Sequence, residues 1–472
     1  MSAGEPLRAG PEREARATFT SSMAAVLTMI GVAVGLGNFW RFPYLVGRYG
    51  GAAFVLFYLL LVFAVGIPAV MAEWSIGRHT RRGTVGAFER SGIRFGRQIG
   101  YFFFAVIVAS SAYYTVAVGW VLCFAAAPLV RVVVPGFDPA RVLPPASGFD
   151  ATSFSMQIVC VAIVLALAAI VLGRGLRGGI EAVSRRLVPA LFLVLLVLIV
   201  RGLTLDGAGE GLHWYLLKFE WSDLTGSVMV AALGQVVFSL GLGGTFMIVY
   251  GSYLDDREPL GRNAAFTAGA DTAAGLLAGL AIFPAVFAFG LEPGSGPGLI
   301  FDTLPRVFEA MPAGAIFSLL FFVGLFLVAL LSDIAAFEVL VAGLTDNLAM
   351  SRARAVRLVL SVAMLLAAIP MINLRVFVPW DLTFGSGMQT LGALLAVIAF
   401  GWSLDRSIAL RQIAFGAHTT QNPGPDPHSG TGEAPRSVLW LYYWLRYVVP
   451  AAILLVGVWW LLTEVLDVTG SV

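Results

Sequence analysis

The sequence predicts an all-α polytopic membrane protein, and three observations carry that prediction. Hydrophobic residues make up 58% of the 472 and charged residues only 12%, about half the charged share of a soluble domain. The apolar residues gather into runs near or above the ~20 that a helix needs to cross hydrocarbon. Two of these runs are interrupted by glycine, at Gly31-Val-Ala-Val-Gly-Leu-Gly37 and at Gly234-Gln-Val-Val-Phe-Ser-Leu-Gly-Leu-Gly-Gly244. Glycine weakens a helix, and Pro43 blocks the continuation of one. A helix broken at membrane depth leaves backbone groups unpaired, which is tolerated only where protein or a polar cavity satisfies them. Paired interruptions in two halves of a membrane protein point to a transporter's central binding site.

Taken in order, residues 1–17 are polar and form a cytoplasmic N-terminal segment. Apolar spans follow at roughly 18–42, 52–77, 98–130, 153–172, 180–201, 224–253, 263–290, 313–345, 355–372, 379–403 and 438–463, which makes eleven. Arginines cluster after span two (Arg78, Arg81, Arg82, Arg90, Arg94, Arg97), span four (Arg174, Arg177, Arg185, Arg186) and span eight (Arg352, Arg354, Arg357). These loops share one side, and the positive-inside rule makes it the cytoplasm. The N-terminus is then cytoplasmic and the C-terminus extracytoplasmic, in an inner or plasma membrane. Loops 131–152 and 202–223 are external. Residues 404–437 read as a cytoplasmic linker, disordered over 416–437. Residues 438–472 hold the last span, peripheral to the mechanism.

Other classes find little support. The two cysteines, Cys123 and Cys160, lie in apolar runs and read as small buried side chains. The four histidines are scattered without metal-ligand spacing. No nucleophile–base pair or metal cluster suggests an enzyme, no organic cofactor is implied, and no nucleic-acid motif appears. The glycine motif of span one lacks the strand–turn–helix setting of a phosphate loop.

Four stretches are similar to a known family: Ala33-Val-Gly-Leu-Gly-Asn-Phe-Trp-Arg-Phe-Pro-Tyr44, Gly50-Gly-Ala-Ala-Phe54, Gly66-Ile-Pro68 and Glu73-Trp-Ser-Ile-Gly-Arg78. They resemble the neurotransmitter:sodium symporters, and among these the bacterial amino-acid transporters of the LeuT fold. The resemblance covers spans one to ten. It implies two five-helix inverted repeats, here 18–201 and 202–403, with helices 1 and 6 broken, and sodium-coupled alternating access at a midplane site.

The resemblance also implies roles. A first sodium site would use the Ala33 carbonyl, Asn38, Ser239 and Asp271, with Asp271 where the family usually has asparagine. A second would use carbonyls of Gly31, Val34 and Val328 and the Ser332 hydroxyl. The adjacent ligand position is Leu331, which has no donor atom, and Asp333 is the candidate replacement. For the substrate, Gly35, Leu36 and Gly37 supply the backbone of the break and Tyr114 the carboxylate hydrogen bond. Phe238 is the lid, and Ser110, Ser239, Gly241, Gly244, Ser332 and Ala336 complete the pocket. Gly35 stands where amine carriers have aspartate, so the substrate brings its own carboxylate. Gly244 and Ala336 are small, which implies a large apolar or aromatic amino acid. Arg41 and Gln235 match the outer gate. Its acidic partner is expected at Gly385, with Asp381 the candidate instead. Arg16 and Asp346, with Tyr253 nearby, match the inner gate, and Phe19 replaces a tryptophan.

Tyr58, Gln235 and Ser239 match three chloride-binding positions, but Gly275 replaces the serine and Asp271 brings a fixed negative charge. The expectation is a chloride-independent, sodium-coupled amino-acid symporter embedded in the lipid bilayer, as monomer or homodimer. The alternatives are a proton-coupled carrier of the same fold and a membrane sensor that has lost transport.

Overall fold

The computed structural model describes residues 17–293, 298–414 and 435–460, together with 462. Described residues outside turns and loops are helical. Among the described residues, eight helices are long and apolar enough to cross a membrane: Ala52–Thr80, Gly96–Val133, Ala151–Gly173, Leu176–Leu203, Leu260–Ala288, Gly314–Leu348, Leu374–Ser403 and Arg436–Trp459. They correspond to spans two to five, seven, eight, ten and eleven. Span one is a bent pair, Ser22–Ala33 and Gly37–Tyr49, with 54° between its halves. Span six is Gly226–Ser239, an unwound stretch, and then the short helix Phe246–Gly251. Span nine, Arg352–Ala367, has 16 residues, shorter than the expected 355–372.

Burial sorts these spans into layers. More than half of the apolar window is buried in spans two, three, seven and eight, against 33% in four and five and 22% in eleven. The first group therefore forms an inner ring, and the last three present most of their surface outward. The broken spans lie inside that ring, where every residue from Val32 to Phe39 is buried. Span eight packs along span three, and span seven against span five and the first half of span one.

Close backbone contact fixes the inner layer. A Cβ on Gly77 of span two would overlap the Ile248 carbonyl of span six, and one on Gly251 would come within 2.7 Å of the Trp74 Cα. At these two glycines the helices meet backbone to backbone. The Trp74 indole N–H, donating to the Met247 sulfur at 3.2 Å, closes the same seam.

Two segments expected to be loops carry helices. Ala208–Leu216 packs on span seven, where Tyr215 donates to the Leu276 carbonyl at 3.1 Å. Arg406–Ala414, at the start of the expected linker, lies under the end of span two. The buried Arg78 guanidinium holds it, donating to Gln412 Oε1 at 2.6 Å and the Gln412 carbonyl at 3.0 Å. Both helices bury apolar faces, and short amphipathic pieces of this kind give little signal in a hydropathy reading. The stretch 415–434 lies outside the described residues.

Candidate functional site

The break in span one leaves backbone groups that must find partners. They find them in side chains. The Gly35 N–H donates to Asn38 Oδ1 at 2.9 Å, and the Leu36 N–H to the Tyr114 hydroxyl at 3.2 Å. The Gly37 carbonyl accepts from Gln235 Nε2 at 3.0 Å. The Val32 carbonyl accepts from the Ser332 hydroxyl at 3.4 Å. Spans three, six and eight therefore all close on one unwound turn. The second break lies alongside. Gly241 and Gly243 have φ of +62° and +74°, a region that side chains disfavour. Glu73, fully buried in span two, accepts the Gly243 N–H at 2.7 Å.

Three of the first sodium-site residues meet at this junction. Asn38 Nδ2 donates to Ser239 Oγ at 3.0 Å and to Asp271 Oδ1 at 2.7 Å. The Ser239 hydroxyl donates to Asp271 Oδ2 at 2.7 Å. All three are buried, and Asp271 is fully so. The donor set is hard oxygen with one negative charge, which suits an alkali cation. Ala33 lies at the end of the helix that leads into the turn. Tyr58 reaches the same cluster from span two.

The second set is different. An ideal Cβ on Gly31 would stand 2.5 Å from Leu331 Cδ2, so the leucine side chain presses against the turn that carries the expected carbonyls. Ser332 remains close to Gly35 and Val32. Asp333 does not join this set. Its carboxylate is turned to span three and accepts from the Thr115 hydroxyl at 3.1 and 3.0 Å. The reason is helical phase: a helix advances about 100° per residue, which carries Asp333 away from the face shared by Val328 and Ser332.

One cavity lies between the two breaks. Gly35, Gly37, Ser110, Tyr114, Phe238, Ser239, Gly241, Ser332 and Ala336 all line it, as do Tyr113, Phe246 and Gln389. Leu36, also expected in the pocket, does not line it; its N–H is held by the Tyr114 hydroxyl. Gly244 is a second correction. It does not line the cavity, because the Phe246 ring occupies the space beside it and would overlap a Cβ there. The room expected from Gly244 is filled from two residues further on. Thr245 has φ +57°, and this turn of the chain swings Phe246 back over Gly244.

Above the cavity the Arg41 guanidinium lies 4.6 Å from the centre of the Phe238 ring and donates to Ser386 at 2.9 Å. Gly385 supplies no acid. The Tyr113 hydroxyl and Asp381 Oδ1 crowd its Cα, with the carboxylate oxygen 2.6 Å from an ideal Cβ. Asp381 is therefore the acidic side chain that faces Arg41. At the opposite end Asp346 accepts the Gly83 N–H at 2.6 Å. Arg16, its expected partner, lies outside the described residues. Phe19 packs edge-on to Tyr253 at 6.2 Å.

Sequence reasoning misses two residues here. Glu338, buried in span eight, pairs with Arg352 at 2.6 Å and accepts from Tyr253 at 2.9 Å. An acidic residue inside an apolar run is the signal that could have found it. In the sequence Arg352 stands out only as one of the arginines clustered after span eight.

A mid-membrane cavity between two broken helices, with an oxygen-rich cluster bridging both breaks, defines a secondary transporter of the broken-helix class. The profile of the Sodium:neurotransmitter symporter family matches residues 16–133 and 150–398. The chain belongs to that family. It is 35% identical over 374 residues to an uncharacterized sodium-dependent transporter of Haemophilus influenzae, covering 76% of this chain and 80% of that one. It is 27% identical over 378 residues to the sodium-dependent serotonin transporter of Drosophila melanogaster, covering 70% of this chain and 60% of that one. Among solved structures it resembles MhsT in complex with L-phenylalanine, with a TM-score of 0.78 and 31% identity over 94% of this chain and 99% of that one. The fold is the LeuT fold, and the protein is an integral membrane transporter of a sodium-dependent family.

Proposed function

We propose that the chain is a chloride-independent, sodium-coupled symporter for a large apolar or aromatic amino acid, working by alternating access. The observation that carries this reading is the Asn38–Ser239–Asp271 cluster, which ties spans one, six and seven together beside the unwound Gly35–Gly37 turn. A cation there touches both broken helices and lies beside the unwound turn, whose Gly35 and Leu36 N–H groups would exchange Asn38 and Tyr114 for a substrate carboxylate. Sodium and amino acid then raise each other's affinity by the same factor, because linkage is reciprocal. Asp271 supplies the negative charge that chloride otherwise brings. The likeness to MhsT with bound phenylalanine supports an aromatic substrate, as does the small Ala336 in the wall.

Arg41 with Asp381, and Arg16 with Asp346, act as the outer and inner gates. The two repeats, 18–201 and 202–403, enclose the site, with the arginine-rich loops in the cytoplasm and the protein in the inner or plasma membrane. Leu331 leaves the first site as the main sodium site. Uptake into proteoliposomes tests the reading. Amino-acid accumulation is expected under an imposed sodium gradient, in gluconate as in chloride, and not with potassium in place of sodium. Accumulation driven by a proton gradient alone would favour the proton-coupled carrier instead. Sodium-dependent binding without uptake would favour the sensor.

A further inference from the structure

Gln389 sits in span ten and lines the same cavity as the Gly35–Gly37 turn. Its backbone carbonyl packs directly on Gly243, at the end of the span-six break, whereas the span-one turn packs on Phe238 and Ser239. Gln389 is 6% exposed, and among the described residues its amide has no hydrogen-bond partner. The Ser110 hydroxyl, 5% exposed on the span-three wall of the same cavity, also has none. An amide on a cavity wall is costly to leave unpaired once a ligand has excluded water. It offers two donors and an acceptor to whatever enters. The rest of the lining holds no charged side chain, which disfavours acidic and basic substrates. Phe246 and Tyr113 give the cavity aromatic surface, and Ala336 leaves width for a ring.

We propose that Gln389, assisted by Ser110, is the specificity determinant that selects an aromatic amino acid with a hydrogen-bonding ring edge. A tyrosine phenol or a tryptophan indole N–H is then taken in preference to phenylalanine. The inference rests on the amino-acid symporter reading above. With the carboxylate at the span-one turn, the side chain extends toward span ten and brings its polar edge to the unpaired amide. Phenylalanine leaves that amide buried and unsatisfied. A site built to hydrogen-bond a substrate O–H or N–H discriminates against the analogue that lacks it. One neutral hydrogen bond, gained or left unmade, corresponds to roughly tenfold.

The test is competition against labelled L-phenylalanine on the purified full-length protein in saturating sodium. In the wild type, tyrosine or tryptophan is expected to compete about tenfold better than unlabelled phenylalanine, and the separate titrations show which ring edge is preferred. Gln389→Leu should retain sodium-dependent phenylalanine binding, which also shows that it folds, and should lose that preference. Ser110→Ala should reduce it. Equal competition by all three in the wild type overturns the inference while leaving the symporter reading intact. So does an unchanged ratio in Gln389→Leu. If Gln389→Leu binds nothing, the wild-type ratio and Ser110→Ala decide. Absence of sodium-dependent binding for every amino acid overturns both readings together.

Discussion

Replacing Asp271 by asparagine removes one charge from the cluster and changes almost nothing in shape. Asp271 receives the Asn38 amide and the Ser239 hydroxyl, each at 2.7 Å, through different carboxylate oxygens. A cation held by Asn38 and Ser239 therefore stands within about 4 Å of the carboxylate. At that separation, and with an effective dielectric of about 20, two unit charges attract by about 4 kcal/mol. The amide that replaces the carboxylate keeps a carbonyl dipole and recovers part of this. We take the net loss as roughly 2–3 kcal/mol, which is roughly 30- to 150-fold in sodium affinity at ~1.4 kcal/mol per decade. The assay is substrate binding titrated with sodium, choline keeping ionic strength constant and gluconate the anion. Half-saturation in Asp271→Asn should move up by that factor. Adding Gly275→Ser, one turn away, should let chloride restore part of the loss. Gly275 has room for this only if the Phe42 ring, 3.3 Å from an ideal Cβ, gives slightly. A half-saturation within threefold of the wild type would refute the electrostatic role of Asp271, as would a wild-type requirement for chloride.

Other outcomes follow from the same geometry. Leu331→Thr replaces an apolar side chain pressed on Gly31 by a hydroxyl; the Hill coefficient for sodium should rise, and an unchanged coefficient would show that the second set of oxygens binds no ion. Gly244→Phe should abolish binding rather than shift it to smaller substrates, because Phe246 holds the space, whereas Phe246→Ala should favour bulkier amino acids in a competition series. Glu73→Ala strands the Gly243 N–H and should lower stability by about 1–3 kcal/mol in detergent unfolding, with Glu73→Gln closer to the wild type. Arg352→Ala leaves the Glu338 carboxylate buried without its cation, with the Tyr253 hydroxyl as its remaining partner; a loss near the lower end of about 3–5 kcal/mol is expected, and Glu338→Gln in the same chain should recover much of it.

The broken helices are legible because clustered glycines inside an apolar run weaken the helix just where the membrane demands one, and the motif around Asn38 marks where Asn38, Ser239 and Asp271 meet. What escapes depends on side-chain direction. Gly244 is a gap in the sequence, but the left-handed turn at Thr245 fills that gap with Phe246, and residue size alone gives no hint of it. Asp333 is adjacent to a ligand position, yet helical phase sends it to Thr115. The Glu338–Arg352 pair joins a span to a residue beyond the next turn, and no local pattern links them. Gln389 lies in a stretch of span ten that also holds Thr383, Ser386 and Thr390, so nothing in the sequence singles it out as the polar residue that lines the cavity. The helix at Arg406–Ala414 is hidden because its tertiary anchor, Arg78, is far away in the sequence.

The glycine seam between spans two and six has a mechanical consequence. Side chains that interdigitate can slip by changing rotamers, but backbone resting on backbone through Gly77 and Gly251 has nothing to rotate. The helix Phe246–Gly251 and the end of Ala52–Thr80 therefore travel as one lever. Any swing of the lower half of span six draws span two with it, and the bending falls on the unwound residues between Ser239 and Phe246. Amide hydrogens of 246–251 should then exchange in step with those of 71–80, and on a different schedule from those of 226–239.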